Sequence, residues 1–202
     1  MLGATLDYYL LRGLAHRRNR ATEDQLDAQF LRLDPGAVDA VAAKLRKLVQ
    51  RFEGHLPLEP SLRYLDVGCG GGELTLALAT AARAQVTGVD YLPRNIERAR
   101  ALAARAGLDN QVDFVCRDLQ AWEPAQKYDV LLSFDALEHI ADPGAFLRRM
   151  ARFIAPGGVA AFAFGPLFHS PFGDHMWDFF RLQIPWRGVL FSEQALLRLR
   201  RE

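Results

Sequence analysis

From Arg63 onward the chain alternates short apolar runs with amphipathic patterns, and this alternation restricts the fold more than any other feature. The candidate strands are Arg63–Val67, Gln85–Val89, Val112–Cys116, Tyr128–Phe134 and Val159–Phe164. Helical periodicity fills 73–82, 93–106 and 143–154. Strand and helix in strict alternation predict an α/β fold, a Rossmann-like, doubly wound, mostly parallel sheet of at least five strands. Such sheets bind ligands at the carboxyl ends of their strands, where the winding reverses. The strand-to-helix turns should therefore carry the function.

The flanks read differently. Residues 1–60 are expected to form an N-terminal helical cap. One helix is expected from Thr22 to Leu33, and a second is opened by Asp34-Pro35 and runs through Arg51. In the second, Val38, Val41, Ala42, Leu45, Leu48, Val49 and Phe52 recur at helical spacing. The proline-bearing stretch HLPLEPS at 55–61 joins this cap to a core over 61–165. Residues 166–202 form an aromatic-rich segment: nine of the chain's 21 aromatics lie between Phe162 and Phe191. The tail SEQALLRLRR then predicts a helix capped by Ser192.

Charge and cysteine content narrow the function classes. With 25 basic and 24 acidic side chains the net charge is +1, so phosphate-driven binding of nucleic acid is not expected. The run Arg12–Arg20 does concentrate four arginines and a histidine, suited either to a solvated helix face or to an anionic surface. Cys69 and Cys116 sit near the ends of predicted strands without a CxxC pair, which suits a reducing, cytoplasmic setting. No apolar run reaches the length of a membrane span.

The stretch LDVGCGGGELTLALA is the richest local signal. Asp66 precedes Gly68, Gly70, Gly71 and Gly72, and a helical pattern follows at once. Glycine permits positive φ and lets a ligand approach the main chain, while a helix start offers free N–H groups. Counted from Gly68, a dinucleotide fingerprint would need its third glycine where Glu73 stands. Asp90 ends the second strand 22 residues after Gly68, placed to accept hydrogen bonds from both hydroxyls of a ribose. Glycine turn and carboxylate together predict a nucleoside site.

LDVGCGGG, VTGVDYLPRNIERAR, VDFVCRDLQAW, YDVLLSFDALEHIADP and APGG follow one another in order. Over about residues 61–165 the chain resembles the class I S-adenosylmethionine-dependent methyltransferases, of the small-molecule, type 11-like kind. The resemblance implies S-adenosyl-L-methionine as cofactor. It implies that Asp66, Gly68, Cys69, Gly70 and Gly72 hold the methionine end, Asp90 the ribose, and Tyr91 and Leu92 the adenine surroundings. Asp118 would meet the adenine amino group with Leu119 beside it, although an Asp after a strand also serves as a helix N-cap. Ser133 and Phe134 would lie under the sulfonium, facing the acceptor. The family sheet has seven strands. No strand pattern follows Phe164, so the chain is expected to be truncated.

The expected reaction is methyl transfer to a small, fairly apolar organic acceptor. A hydroxyl or carbon acceptor needs a base, for which His139, His175 and His169 are the candidates. Glu138-His139 could equally be a cap or strut. His169, Asp174 and His175 have no tetrahedral spacing, and no metal is expected. The aromatic segment either walls an acceptor pocket or forms a local core. Alternatives are a protein or nucleic-acid acceptor, or a non-catalytic cofactor- or partner-binding module. SFDALEH, where an NPPY-like sequence would suit flipped bases, disfavours nucleic acid.

Overall fold

The computed structural model describes residues 2–15, 35–51, 55–140, 142–165, 170, 171, 173, 176, 180 and 182–201. The chain forms two compact units, Asp27–Ala163 and the combination of Met1–Leu26 with Phe164–Glu202. This cut differs from the sequence divisions at 60 and 165. The expected N-terminal cap is shared out, its first helix grouping with the C-terminal segment and the helix after Pro35 with the sheet.

The larger unit begins with α2 (Pro35–Arg51), which follows α1 (Leu2–Leu14) of the other unit. Then come β1 (Tyr64–Val67), α3 (Glu73–Ala82), β2 (Val86–Asp90), α4 (Pro93–Ala106) and β3 (Val112–Cys116). They are followed by β4 (Tyr128–Phe134), a 3-10 turn (Leu137–His139), α5 (Pro143–Phe153) and β5 (Ile154–Ala163). All pairings are parallel and the order is β3-β2-β1-β4-β5. The winding reverses between β1 and β4, so the loops leaving those two strands flank the crevice where such sheets hold ligands.

Period-two alternation sends successive side chains of the central strands to opposite faces. Tyr64, Val130 and Leu132 join Leu45 of α2 and Leu78 and Ala79 of α3 in one buried cluster. Leu65, Val67 and Leu131 join Phe146, Met150 and Phe153 of α5 in another. Leu65, Leu131 and Leu132 are wholly buried, each burial stabilising the fold by about 1.5–3 kcal/mol. The joint before β1 is fixed by Tyr64, whose buried hydroxyl accepts from the Glu59 N–H at 2.7 Å and reaches the Glu59 carbonyl at 3.0 Å.

Local signals explain the helix ends. Pro93 and Pro143 occupy the first turns of α4 and α5, and the Asp142 carboxylate accepts the Ala145 N–H at 2.8 Å. Gly107 ends α4 in the left-handed conformation, its N–H bonded back to Ala103 and Ala104. The helix expected over 22–33, and Asp34 as a cap, lie outside the described residues.

Two expectations are corrected. APGG reads as a turn before a strand at 159, yet β5 starts at Ile154. Tyr128 pairs with Ile154 and Val130 already with Val159, so Ala155–Gly158 bulge out of a continuous strand, with Gly157 at φ 79°. Ser192 precedes α7 (Glu193–Arg200) but makes no side-chain cap. Its N–H instead donates to the Asp7 carboxylate of α1 at 2.8 Å.

In the smaller unit, α1 packs on α7 after the short α6 (Arg187–Leu190). Tyr8 and Leu11 are buried with Met176, Phe180, Leu196 and Leu199. Of the aromatic segment, Phe180 is thus core, whereas Phe168, Phe172, Trp177 and Phe179 lie outside the described residues.

Gly88 tests how tightly the sheet packs on α3. A Cβ there would lie 2.9 Å from both the Phe114 ring and the Thr75 hydroxyl, in an ordinary backbone conformation. Gly88→Ala should therefore destabilise the chain by overpacking alone, by about 1–3 kcal/mol, seen as a lower urea midpoint at unchanged slope. An unchanged midpoint would mean that the β2–α3 contact is slack.

Candidate functional site

The site is built around the turn that leaves β1. Gly68, Gly70 and Gly72 all have positive φ, at 76°, 50° and 87°. At two of them close packing also forbids a side chain: a Cβ on Gly68 or Gly72 would lie 2.8 Å from the Cβ of Ala136 or Ala99. Gly70 differs, since a Cβ there would meet nothing within 4 Å. That glycine is needed for its backbone angle and opens onto free space. Val89, the penultimate residue of β2, accepts the N–H groups of Gly68 and Cys69 at 2.9 and 3.0 Å and so pins the turn to the neighbouring strand.

Asp90 ties the turn to the next helix. Its Oδ2 accepts the Gly70 N–H at 3.0 Å, and its Oδ1 accepts the Leu92 N–H at 2.8 Å and the Asn95 side-chain amide at 3.1 Å. A carboxylate offers roughly four acceptor positions, so one at Oδ2 is left for a ligand hydroxyl. A second hydroxyl must displace the Asn95 amide.

Asp66 lies deeper, 1 % exposed. Its Oδ2 accepts the Thr75 hydroxyl of α3 at 2.6 Å, while its Oδ1 is buried without a hydrogen-bond partner. Burial raises the carboxyl to about 7, against the lowering effect of the Thr75 bond and with a further rise from Asp90. A buried acceptor without a partner, two residues before a bare glycine turn, is suited to a polar or cationic ligand group.

Glu73, in the place of a dinucleotide site's third glycine, forms an ion pair with Arg98 of α4. The guanidinium occupies the space over Gly71. Cys69 is buried among Leu76, Ile96 and Ala99, and burial pushes its thiol well above the ordinary range, so it is packing rather than a nucleophile.

Further along the carboxyl edge, Tyr91 is exposed and Leu92 half-buried. The β3 end is held beside them, with the Arg117 N–H donating to the Asp90 carbonyl at 2.9 Å. Asp118 is exposed and accepts the Gln120 N–H at 2.8 Å, capping a turn rather than a helix. Leu119 packs into the α5-side cluster. Ser133 is fully buried, and its hydroxyl donates to the Val67 carbonyl at 3.0 Å, lacing β4 to β1. Phe134 packs against the opposite cluster, with Leu45 and Leu78.

One residue escapes sequence reasoning. Asp135, directly after β4, is exposed with φ 53°, and its N–H donates to the Ala163 carbonyl at 2.8 Å. A strained non-glycine residue at a strand's carboxyl end is a mark of functional sites. The available signal was an Asp in SFDAL, one of the few residue types that tolerate this conformation. Glu138 follows with a buried Oε2 lacking a partner, and His139 is exposed. His169 and His175 lie outside the described residues. Among the described residues no group of three or more His, Cys, Asp or Glu could hold a metal ion.

The structure thus lines up Asp118, Asp90, the Gly68–Gly72 turn and Asp135 at or just beyond the carboxyl ends of four adjacent strands. Three strand intervals of about 4.8 Å make a row of roughly 14 Å, enough for a nucleoside with an extended polar arm.

A sequence profile described as a methyltransferase domain matches residues 38–196. A 27-O-demethylrifamycin SV methyltransferase of Amycolatopsis mediterranei (strain S699) is 36 % identical over 128 residues, 63 % of this chain and 47 % of that protein. A ubiquinone biosynthesis O-methyltransferase of Caulobacter sp. (strain K31) is 42 % identical over 113 residues, 54 % of this chain and 44 % of its own. The chain spans about half the length of the curated relatives it matches. In fold it is similar to coclaurine N-methyltransferase bound to N-methylheliamine and SAH, with a TM-score of 0.57 and 23 % identity over 80 % of this chain and 49 % of that one.

Asp66 gives this site a pH signature. Its folded-state value, about 7, exceeds that of an unfolded Asp, near 3.9. The folded chain therefore holds the proton more tightly, and the group's destabilising share grows from about pH 4 to about pH 7 and is then constant. Asp66→Asn should flatten the urea midpoint across that window. A ligand that sets a cationic amino group against Oδ1 favours the ionised form, so its binding near pH 6.5 should release about 0.5–1 proton. Calorimetry in two buffers of different ionisation enthalpy reads this directly, and equal heats would rule it out.

Proposed function

The chain belongs to the methyltransferase domain family, and from that premise we propose that it binds S-adenosylmethionine and moves its methyl group to a hydroxyl of a small, fairly apolar organic acceptor. The observation that carries the reading is the pairing of an open, left-handed Gly70 with two buried carboxylates, Asp66 and Asp90, on the adjacent strands β1 and β2. Asp90 has one acceptor position left for a ribose hydroxyl, and the Asp66 Oδ1 suits the ammonium of the methionine arm. Tyr91, Leu92, Asp118 and Leu119 are the proposed adenine surroundings, and Asp118 keeps an exposed carboxylate there. The Glu73–Arg98 pair beside Gly71 disfavours a dinucleotide pyrophosphate at the same turn. Support for an oxygen acceptor comes from the names of the relatives, a 27-O-demethylrifamycin SV methyltransferase and ubiquinone biosynthesis O-methyltransferases.

S-adenosylmethionine supplies an electrophilic methyl on a sulfonium. The chain's task is to align an acceptor oxygen with it, in line and near contact distance. Ser133 and Phe134 act in this reading through the β4 end that they fix, since both side chains are committed to packing or to β1. Phenol-like or alcohol acceptors must also shed a proton, and His139, His169 and His175 are the proposed bases. His139 is exposed at the end of the 3-10 turn, four residues after the strained Asp135.

Calorimetric titration with S-adenosylhomocysteine should give saturable binding that NADH does not compete away. Asp90→Ala should weaken it by at least about tenfold, the loss of a charge-assisted hydrogen bond. Undiminished affinity would remove Asp90 from the site, and competition by NADH would return the turn to dinucleotides. With labelled methyl donor and a panel of phenolic and alcoholic acceptors, alanine at His139, His169 or His175 should lower kcat by about 100-fold or more in at least one variant. Three variants that turn over like the parent would leave none of them as the base.

A further inference from the structure

Of the groups that donate to Asp90, only one can leave without moving main chain. The Gly70 N–H belongs to a turn whose Gly68 and Cys69 N–H groups are already committed to the Val89 carbonyl. The Leu92 N–H belongs to the backbone entering α4, and the Leu92 carbonyl accepts the N–H groups of Asn95 and Ile96 at 3.1 and 3.3 Å. That helix is fixed in turn by Ile96, Ala99, Leu102 and Ala103, which are buried in one cluster with Phe114 of β3. Withdrawing either backbone donor would shift a packed element and leave an N–H to be satisfied elsewhere. The remaining donor, the Asn95 amide, sits on a half-buried side chain and can swing away by changing rotamer. Among the described residues Asp90 is the only hydrogen-bond partner of that side chain.

A ribose brings two hydroxyls to a carboxylate that has roughly one acceptor position left. One hydroxyl enters that position at Oδ2 and its bond is gained outright. The other must take the position that Asn95 holds at Oδ1. Amide and hydroxyl are both neutral donors to the same anion, so this exchange returns little. Asn95 thus lowers the worth of one ribose hydroxyl by about the strength of its own bond. Cofactor and product of the proposed reaction share the same ribose, so the cost falls on both and shortens the stay of both.

We propose that the Asn95 amide is a displaceable stand-in for one ribose hydroxyl, holding the affinity of the nucleoside site below what Asp90 could give and setting its selectivity for the ribose. The inference rests on the reading of Asp90 as the ribose ligand. By calorimetry on the full chain, Asn95→Ala should bind S-adenosylhomocysteine about tenfold more tightly than the parent, because a hydrogen bond to a charged group no longer has to be broken. Two forms of that ligand each lack one ribose hydroxyl, and one of them brings no displacing group. Its affinity should agree within about twofold between parent and variant, closing a cycle that isolates the Asn95 contribution. Equal gains for all three ligands would mean a general loosening of the turn and overturn the proposal. An unchanged or weaker affinity for the intact ribose would overturn it too, making Asn95 idle or a ligand contact in its own right. In amide proton–nitrogen correlation spectra of the parent, the side-chain signals missing from the variant should move on saturation with S-adenosylhomocysteine, and signals that stay in place count against the proposal in the same way. If the parent binds none of the three ligands, the S-adenosylmethionine reading falls and this inference with it, whereas binding without the gain in Asn95→Ala removes the inference alone.

Discussion

Three donors converge on the carboxylate of Asp90, and the geometry of the crevice depends on that convergence. One comes from the glycine turn after β1, one from the backbone entering α4, and one from the first turn of α4 itself. Hydrogen bonds to a charged acceptor are among the stronger ones a protein forms, and a 7 % exposed group keeps them from competing water. A left-handed glycine turn has many conformations available to it. Here it is held in one, because its N–H groups are committed to Val89 and Asp90 on the adjacent strand. Burial is the chief cause that raises the neighbouring Asp66 carboxyl, and the charge of Asp90 adds to it.

Fold and candidate site differ in how fully they could be read from residues alone. Parallel order was legible because the first, second and fourth strand runs were each followed by a helix pattern and no hairpin signal intervened. The glycine turn was legible because few residue types tolerate three positive φ angles in five positions. What escaped were features decided by tertiary partners. The APGG stretch has turn chemistry, but β4 offers a ladder long enough for the chain to pair on both sides of it. Ser192 has the chemistry of a cap, yet its backbone N–H found a carboxylate 185 residues away in sequence. Asp118 lies where a helix could begin and instead closes a tight turn, over which Arg149 donates to the carbonyls of Leu119 and Trp122. Glu73 looked only like a missing glycine, whereas it has an ion-pair partner on α4 that no local pattern announces.

The two units solve the problem of apolar surface in different ways. Around the sheet, strands alternate their side chains between two clusters, and helices cover both. In the smaller unit a single layer of helix on helix encloses Tyr8, Leu11, Phe180 and Leu199, and such a layer has an outer side as well as an inner one. Average composition conceals this contrast, since half of all residues are apolar and the net charge is close to zero. Location rather than content separates a core helix from one that faces outward.

The bulge in β5 has a consequence for how the sheet assembles. A regular parallel strand can slide along its neighbour by two residues and still present the same face, so its alignment is only weakly marked. In β5 the four residues Ala155–Gly158 are absent from the ladder, and Gly157 takes an angle that side-chain-bearing residues rarely adopt. Only one alignment sets that irregular step against the gap between Tyr128 and Val130. The bulge therefore works as an index mark along the strand. It also interrupts the outer edge of the described sheet with a kink, which makes that edge a poor template for a foreign strand.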